Sequence, residues 1–400
     1  MPYRVLIVDD SAFIRRALKR IIGAEPDMEV TASAANGHLA LRELEEHTVD
    51  VVVLDVEMPV MNGLDTLDAI RKRDRSLPVV MFSTLTTQGG EATMDALTRG
   101  ASDYVAKPSQ QSNQDDAFQF VRDQLVPKLR SLAEAYSVRK RRIQAPIGVR
   151  EALDIPQKDA SAPKPAVNAA AKRSTPVTNA PKKAITPDEV PRPRRRTTRE
   201  TAIEVVAIGV STGGPTALQT VLSDLPADLS VPVVITQHMP PLFTALLAQR
   251  LDSVSALKVC EAQDGSPVEA GSVYLAPGDQ HMRFERGGDG IRIVLDDGPP
   301  VHSCRPAVDV MLESIVTVYG AKTLVVILTG MGKDGLDGSR RLAGLGARVL
   351  AQDAETSVVW GMPGFVAREG VADQVLPLDE IGSEITRIAR SSGRVQGQPA

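Results

Sequence analysis

A serine in a glycine-rich turn is the first feature of this sequence that could do chemistry: Gly209-Val210-Ser211-Thr212-Gly213-Gly214 follows an apolar run at 204–208 and opens a helical stretch at 215–222. A turn this tight between strand and helix projects the serine hydroxyl out of a sheet, and the helix N-terminus offers amide hydrogens and positive dipole to an anionic intermediate. Such a turn equally holds a phosphate or simply closes the chain. A serine nucleophile needs a base, and the C-terminal half has three histidines, His238, His281 and His302. His238 follows the next apolar run directly, at the same sheet edge as Ser211, whereas His281 falls in a hairpin-like region and His302 in a proline-rich loop, contexts that suit surface or structural roles. Asp334, beyond the run at 323–328, would orient the imidazole.

A second group is made of carboxylates. Asp9 and Asp10 follow the first strand-like run and Asp55 the third, where loops of an open parallel sheet converge. Clustered carboxylates repel one another unless a hard cation is present, so Mg²⁺ is implied. A carboxylate screened in this way can attack a phosphoryl group, with Lys107 and Ser83 reaching the phosphoryl oxygens. A single aspartate after a strand is ordinarily a turn or helix cap. The ordered set after four strands points to phosphoryl chemistry instead.

Two rival motifs carry other functions. Gly330-Met331-Gly332-Lys333-Asp334-Gly335, with Asp353 some twenty residues on, fits a dinucleotide fingerprint. It lies late in its domain, and it leaves Ser211 and His238 without a purpose. The arginines at 192, 194, 195, 196 and 199 could form a nucleic-acid arm, but they sit among prolines without interleaved aromatics, and aromatics are only 3% of the chain. No nucleic-acid partner is expected.

Elements must position these groups. Apolar runs at 4–8, 29–34, 49–54, 78–83 and 103–106 alternate with helical periods at 11–22, 37–45, 63–72 and 90–98. Further runs at 204–208, 231–236, 273–276, 291–295, 323–328 and 348–351 alternate with helical segments downstream. This is α/β patterning: two doubly wound parallel sheets, with the runs near Val273 and Ile291 forming an antiparallel hairpin or edge. The expected domains are residues 1–125, a helical extension and Pro/Arg-rich flexible linker at 126–200, a catalytic domain at 201–390 and a disordered tail at 391–400. At 400 residues and 42% apolar content the chain can bury two cores. No run has the length of a membrane span, and the N-terminus lacks the zones of a secretory signal, so a cytoplasmic location is expected. Cys260 and Cys304 belong to no ligand motif and read as ordinary reduced thiols.

Over roughly its first 125 residues the chain resembles the response-regulator receiver family, on Asp9-Asp10, Asp55, Ser83 and Lys107. The resemblance implies a flavodoxin-like receiver in which Asp55 accepts phosphate from a histidine kinase. It further implies that Asp10 and Asp55 ligate Mg²⁺ with the Glu57 backbone, that Asp9 acts through water, and that Ser83 and Tyr104 form the switch. From Glu204 to Ile388, the segments 209–214, 237–240, 276–278, 298–300, 305–309, 328–335, 351–353 and 361–363 resemble the chemotaxis protein-glutamate methylesterase family. That resemblance implies Ser211 as nucleophile, His238 as general base and acid, and Asp334 as its orienter. It also implies an oxyanion contribution from the Met331 amide beside Gly332, and Thr212 either bonded to His238 or capping the helix. The implied substrate is a glutamyl methyl ester on the cytoplasmic helices of a chemoreceptor, with receptor glutamines as a second substrate in some members, and no cofactor serves the ester chemistry. Two departures stand out: a long proline-rich linker, and His302-Ser303-Cys304 in place of a more usual Asn-Gly-His.

Overall fold

The computed structural model describes residues 1–84, 86–107, 114–144, 202–288 and 290–393. Its N-terminal strands are β1 (Tyr3–Val8), β2 (Met28–Ala34), β3 (Val51–Asp55), β4 (Val79–Ser83) and β5 (Asp103–Ala106), arranged β2-β1-β3-β4-β5. All are parallel, and β3 and β4 are buried end to end. This is why both read as unbroken apolar runs: helices cover both faces. The helices are α1 (Ala12–Gly23), α2 (Gly37–Glu46), α3 (Gly63–Arg73), α4 (Thr87–Thr98) and α5 (Gln114–Gln144). The side chains of Ser11, Asn36, Asn62 and Thr86 cap the first four, each accepting an otherwise orphan amide. Helix α5 runs straight across the boundary expected at residue 125. The proline-rich stretch beyond it, with its arginine block, lies outside the described residues.

The second sheet has seven parallel strands: β6 (Val205–Val210), β7 (Val233–Gln237), β8 (Lys258–Glu261), β9 (Ser272–Leu275), β12 (Thr323–Ile327), β13 (Arg348–Gln352) and β14 (Gln374–Leu376), in the order β14-β13-β12-β6-β7-β9-β8. A separate antiparallel hairpin joins β10 (His281–Gly287) to β11 (Gly290–Asp296). The antiparallel pair is therefore present, but the strand at Val273 pairs parallel with β7 and β8, and the partner of the Ile291 strand is the 281–287 segment, whose buried Met282 and Phe284 alternate with charged residues. Helices α6 (Gly214–Ser223), α7 (Pro241–Asp252), α8 (Val308–Val318), α9 (Leu336–Leu345), α10 (Met362–Arg368) and α11 (Leu378–Gly393) complete the domain. Helix α11 carries ordered structure past residue 391, where a tail was expected to begin; residues 394–400 lie outside the described set.

Strands β6, β7 and β12 form the centre of this sheet, and every residue in them is buried. Their parallel register delivers three successive loops to one rim. Apolar packing also joins the two domains: Gly90 of α4 lies against Leu242 and Leu246 of α7, and Tyr104 stacks on Phe243 with ring centroids 4.5 Å apart. Ile208, fully buried in the middle strand, anchors this arrangement. Ile208→Ala should lower unfolding free energy by about 2–5 kcal/mol, measured by chemical denaturation; a change below about 0.5 kcal/mol would contradict the assigned packing.

Candidate active site

The sheet register settles which loops are neighbours. Val210 lies opposite Gln237 in the β6–β7 pairing, so Ser211 and His238, each one residue further on, emerge side by side, about 5 Å apart at the spacing of paired strands. His238 N donates to Val210 O at 3.3 Å, and Ser211 N donates to Thr329 O at 3.0 Å on the β12 side. Gln237 Nε2 donates to both Ser211 O (3.0 Å) and His238 O (3.3 Å), tying the two loops together. The turn needs its glycines: Gly213 has φ 79°, and a Cβ on Gly214 would fall 1.8 Å from Gln237 Oε1.

Asp334, 2% exposed, accepts from His238 Nε2 at 2.8 Å. Its Oδ2 also accepts from Val308 N at 2.7 Å and its Oδ1 from Asp309 N at 2.9 Å, so it caps α8 while holding the ring. Burial opposes ionisation of Asp334, but His238 and these amides hold its carboxyl below the ordinary range. With Nε2 engaged, Nδ1 is the ring nitrogen left for the serine proton. Among the described residues Ser211 Oγ has no hydrogen bond. The amides of Thr212, Gly213 and Met331 likewise donate to no acceptor among the described residues, and Gly330 is so close that a Cβ there would lie 2.8 Å from Ser211 Cβ.

Two side chains go elsewhere than expected. The Thr212 hydroxyl neither bonds His238 nor caps α6, whose N-cap is Gly213; it donates to Asp103 Oδ2 of β5, in the other domain. Asp103 Oδ1 in turn accepts from Lys128 Nζ of α5 at 2.7 Å. Cys304 is not an isolated thiol, because it lies close enough to the His238 ring to influence its charge. Its position two residues before Pro306, in the segment that departs from the family pattern, was the only signal in the sequence. Burial alone would lower the His238 pKa, yet the bond to Asp334 and the neighbouring Cys304 lift it to about 10. His281 is structural as expected: Nδ1 accepts from Ala307 N at 3.2 Å and Nε2 donates to Pro299 O at 3.1 Å. Asp353, the acid of the dinucleotide fingerprint, caps a local turn through Thr356.

At the N-terminal sheet edge, Lys107 Nζ bridges Asp9 Oδ2 (3.0 Å) and Asp55 Oδ1 (2.8 Å). Oxygens of Asp9, Asp10 and Asp55 lie within 4.8 Å of one another, an all-oxygen set that fits a hard divalent cation. Burial pushes the Asp55 carboxyl up to about 6 despite the neighbouring Lys107 ammonium. Ser83 Oγ donates to Gly89 O at 3.2 Å. Glu57 is exposed beside the cluster, and Tyr104, 7% exposed, faces Phe243.

Comparison with known proteins places both domains in known families. Family models for a response regulator receiver domain and for CheB methylesterase match residues 5–119 and 206–385. A protein-glutamate methylesterase/protein-glutamine glutaminase of Trichodesmium erythraeum is 40% identical over 390 residues, covering 97% of this chain and 99% of the relative. One from Maricaulis maris is 43% identical, covering 97% and 96%. The CheB methylesterase catalytic domain of Thermotoga maritima is 45% identical, covering 47% of this chain and 100% of its own, with a TM-score of 0.46. Among the described residues no helix is long and apolar enough to cross a membrane. The chain belongs to the protein-glutamate methylesterase/protein-glutamine glutaminase family, carboxylic ester hydrolases that carry a receiver domain.

Proposed function

We propose that this protein is a phosphorylation-activated cytoplasmic enzyme of chemotaxis adaptation, which removes methyl groups from glutamyl esters of chemoreceptors as methanol and deamidates receptor glutamines by the same route. The observation that carries the chemistry is the β6–β7 register, which sets Ser211 beside a His238 ring already paired with Asp334. Ser211 Oγ attacks the ester carbonyl as His238 Nδ1 takes its proton, and the unengaged amides around Met331 receive the oxyanion. His238 returns the proton to the departing methanol, or to ammonia from a glutamine, leaving an acyl-serine. Water then attacks the acyl-serine with His238 again as base, freeing glutamate and Ser211.

A histidine kinase would supply the phosphoryl group to Asp55. Mg²⁺ would be held by Asp10 and Asp55 with the Glu57 backbone, and by Asp9 through water, where it screens the carboxylate charge during transfer. Lys107 and Ser83 would meet the phosphoryl oxygens, and Tyr104 would report their arrangement to the interface with Phe243. In the unphosphorylated arrangement Asp103 grips Thr212, the residue beside the nucleophile, and α5 reaches Ser357 O through Arg139 Nη2 at 2.8 Å. The phosphorylated form would shift the population toward one in which these contacts are released.

The bond to Asp334 raises the His238 pKa to about 10, so ring and carboxylate form an ion pair at neutral pH. The resulting ion pair with Asp334 contributes stability that is fully present below about pH 6.5 and is lost as the pH rises through about 10. The stability difference between wild type and Asp334→Asn, followed by chemical denaturation, should therefore shrink between pH 7 and pH 10; a difference independent of pH would contradict the ion pair.

Methanol release from methylated receptor, with Mg²⁺ and a phosphodonor, should fall at least about 10³-fold in Ser211→Ala, and release surviving that change would remove the nucleophile assignment. Asp103→Ala, which loses a buried charge-assisted bond to Thr212, should raise release without phosphodonor about tenfold; unchanged basal release would rule out Asp103 as a restraint.

A further inference from the structure

Behind Asp334 stands a second histidine–carboxylate pair that the ester chemistry does not itself use. Asp309, 6% exposed, accepts from His302 Nε2 at 3.0 Å through Oδ2 and from Gly338 N at 2.8 Å through Oδ1. Oxygens of Asp309 and Asp334 and a nitrogen of His302 lie within 4.8 Å of one another. Two buried carboxylates at that distance repel, and each needs its own compensation. The fold supplies it reciprocally. Asp334, on the loop leading into α9, caps α8 through the amides of Val308 and Asp309. Asp309, on the first turn of α8, caps α9 through Gly338. Each carboxylate thus holds the helix that carries the other, and each takes one imidazole.

His302 is placed for this at a conformational cost. Val301 and Cys304 pair across a two-residue turn in which His302 (φ 52°) and Ser303 (φ 62°) both occupy the left-handed region. Asn-Gly satisfies such a turn without strain. Here the strained turn points one residue, His302, at Asp309 and another, Cys304, at His238.

We propose that Asp309 and His302 are positioning residues for the esterase step, fixing Asp334 and through it the His238 ring; this rests on the assignment of Ser211, His238 and Asp334 given above. The groups facing His238 and Asp334 are Cys304 from the turn, Asp309 from α8 and, behind it, His302. Lys333 is exposed, Asp337 of α9 pairs with Arg340, and Arg305 pairs with Asp279. Burial and the Asp334 charge raise the Asp309 pKa, while an ionised Asp309 reinforces proton binding at His238. Removing that charge therefore makes the ring neutral at lower pH.

The test is the pH profile of methanol release by the full chain with Mg²⁺ and phosphodonor, run beside NMR titration of the His238 ring and thermal unfolding. Asp309→Asn should lower kcat about 10²-fold with KM within about threefold, and should move the rising limb and the ring titration to lower pH by about one unit. His302→Ala should lower kcat similarly, and His302→Gln, which keeps a donor toward Asp309, should recover most of the loss. A ring titration and limb that stay in place in folded Asp309→Asn would overturn the inference, as would losses in kcat that vanish at a temperature where each variant is fully folded. Release that persists in Ser211→Ala would sink the underlying assignment, and this inference with it, whereas normal Ser211 dependence with an unmoved profile would sink the inference alone.

Discussion

The carboxylate of Asp334 accepts hydrogen bonds from one imidazole and two helix N-terminal amides while almost wholly out of water, and the rest of the site is built around it. A buried carboxylate is tolerable only when its charge is spread over donors of this kind. Because the same oxygens cap α8 and orient His238, the ring cannot move without disturbing a helix start. Parallel pairing of β6 with β7 and β12 then sets Ser211 and His238 at neighbouring positions on the same rim. Sheet register, a capped helix and a fixed imidazole are three consequences of one interaction.

The receiver meets this assembly from outside. Asp103 divides its two oxygens between Lys128 in its own domain and Thr212 beside Ser211, so a single residue of β5 touches both α5 and the Ser211 turn. Tyr104, next in sequence, lies flat on Phe243, and Thr216 Oγ1 donates to Leu97 O at 2.9 Å at the start of the same interface. Strand β5 lies beside β4, and Lys107 at its end contacts Asp55. A change of charge at Asp55 is therefore only a strand's length from the grip on Thr212.

Much of this was legible in the sequence because parallel sheets concentrate chemistry at strand ends. Ser211, His238 and Asp334 each follow an apolar run, as do Asp9, Asp55 and Lys107, so their convergence could be read from order alone. Contacts that depend on a loop's path could not. The partner of Thr212 lies 109 residues away in another domain, and no local pattern announces it. The segment His302–Cys304 stood out as a departure from the family pattern, but what it does could not be read, because it depends on a turn that holds His302 and Ser303 in the left-handed region. The short strands β8 and β14 carry too few residues for a period, and β10, whose Met282 and Phe284 alternate with Arg283 and Glu285 as a strand requires, read as hairpin-like without its pairing to β11 being assigned.

The central claim is that the C-terminal rim makes the hydroxyl of Ser211 nucleophilic through His238 and Asp334. Its most direct measurement is labelling of the full chain by a fluorophosphonate, in the presence of Mg²⁺ and phosphodonor, followed by peptide mass spectrometry. The account predicts a single adduct on Ser211, formed far more slowly in His238→Ala and in Asp334→Ala. An adduct on another residue, or labelling of Ser211 at an unchanged rate in both variants, would contradict it.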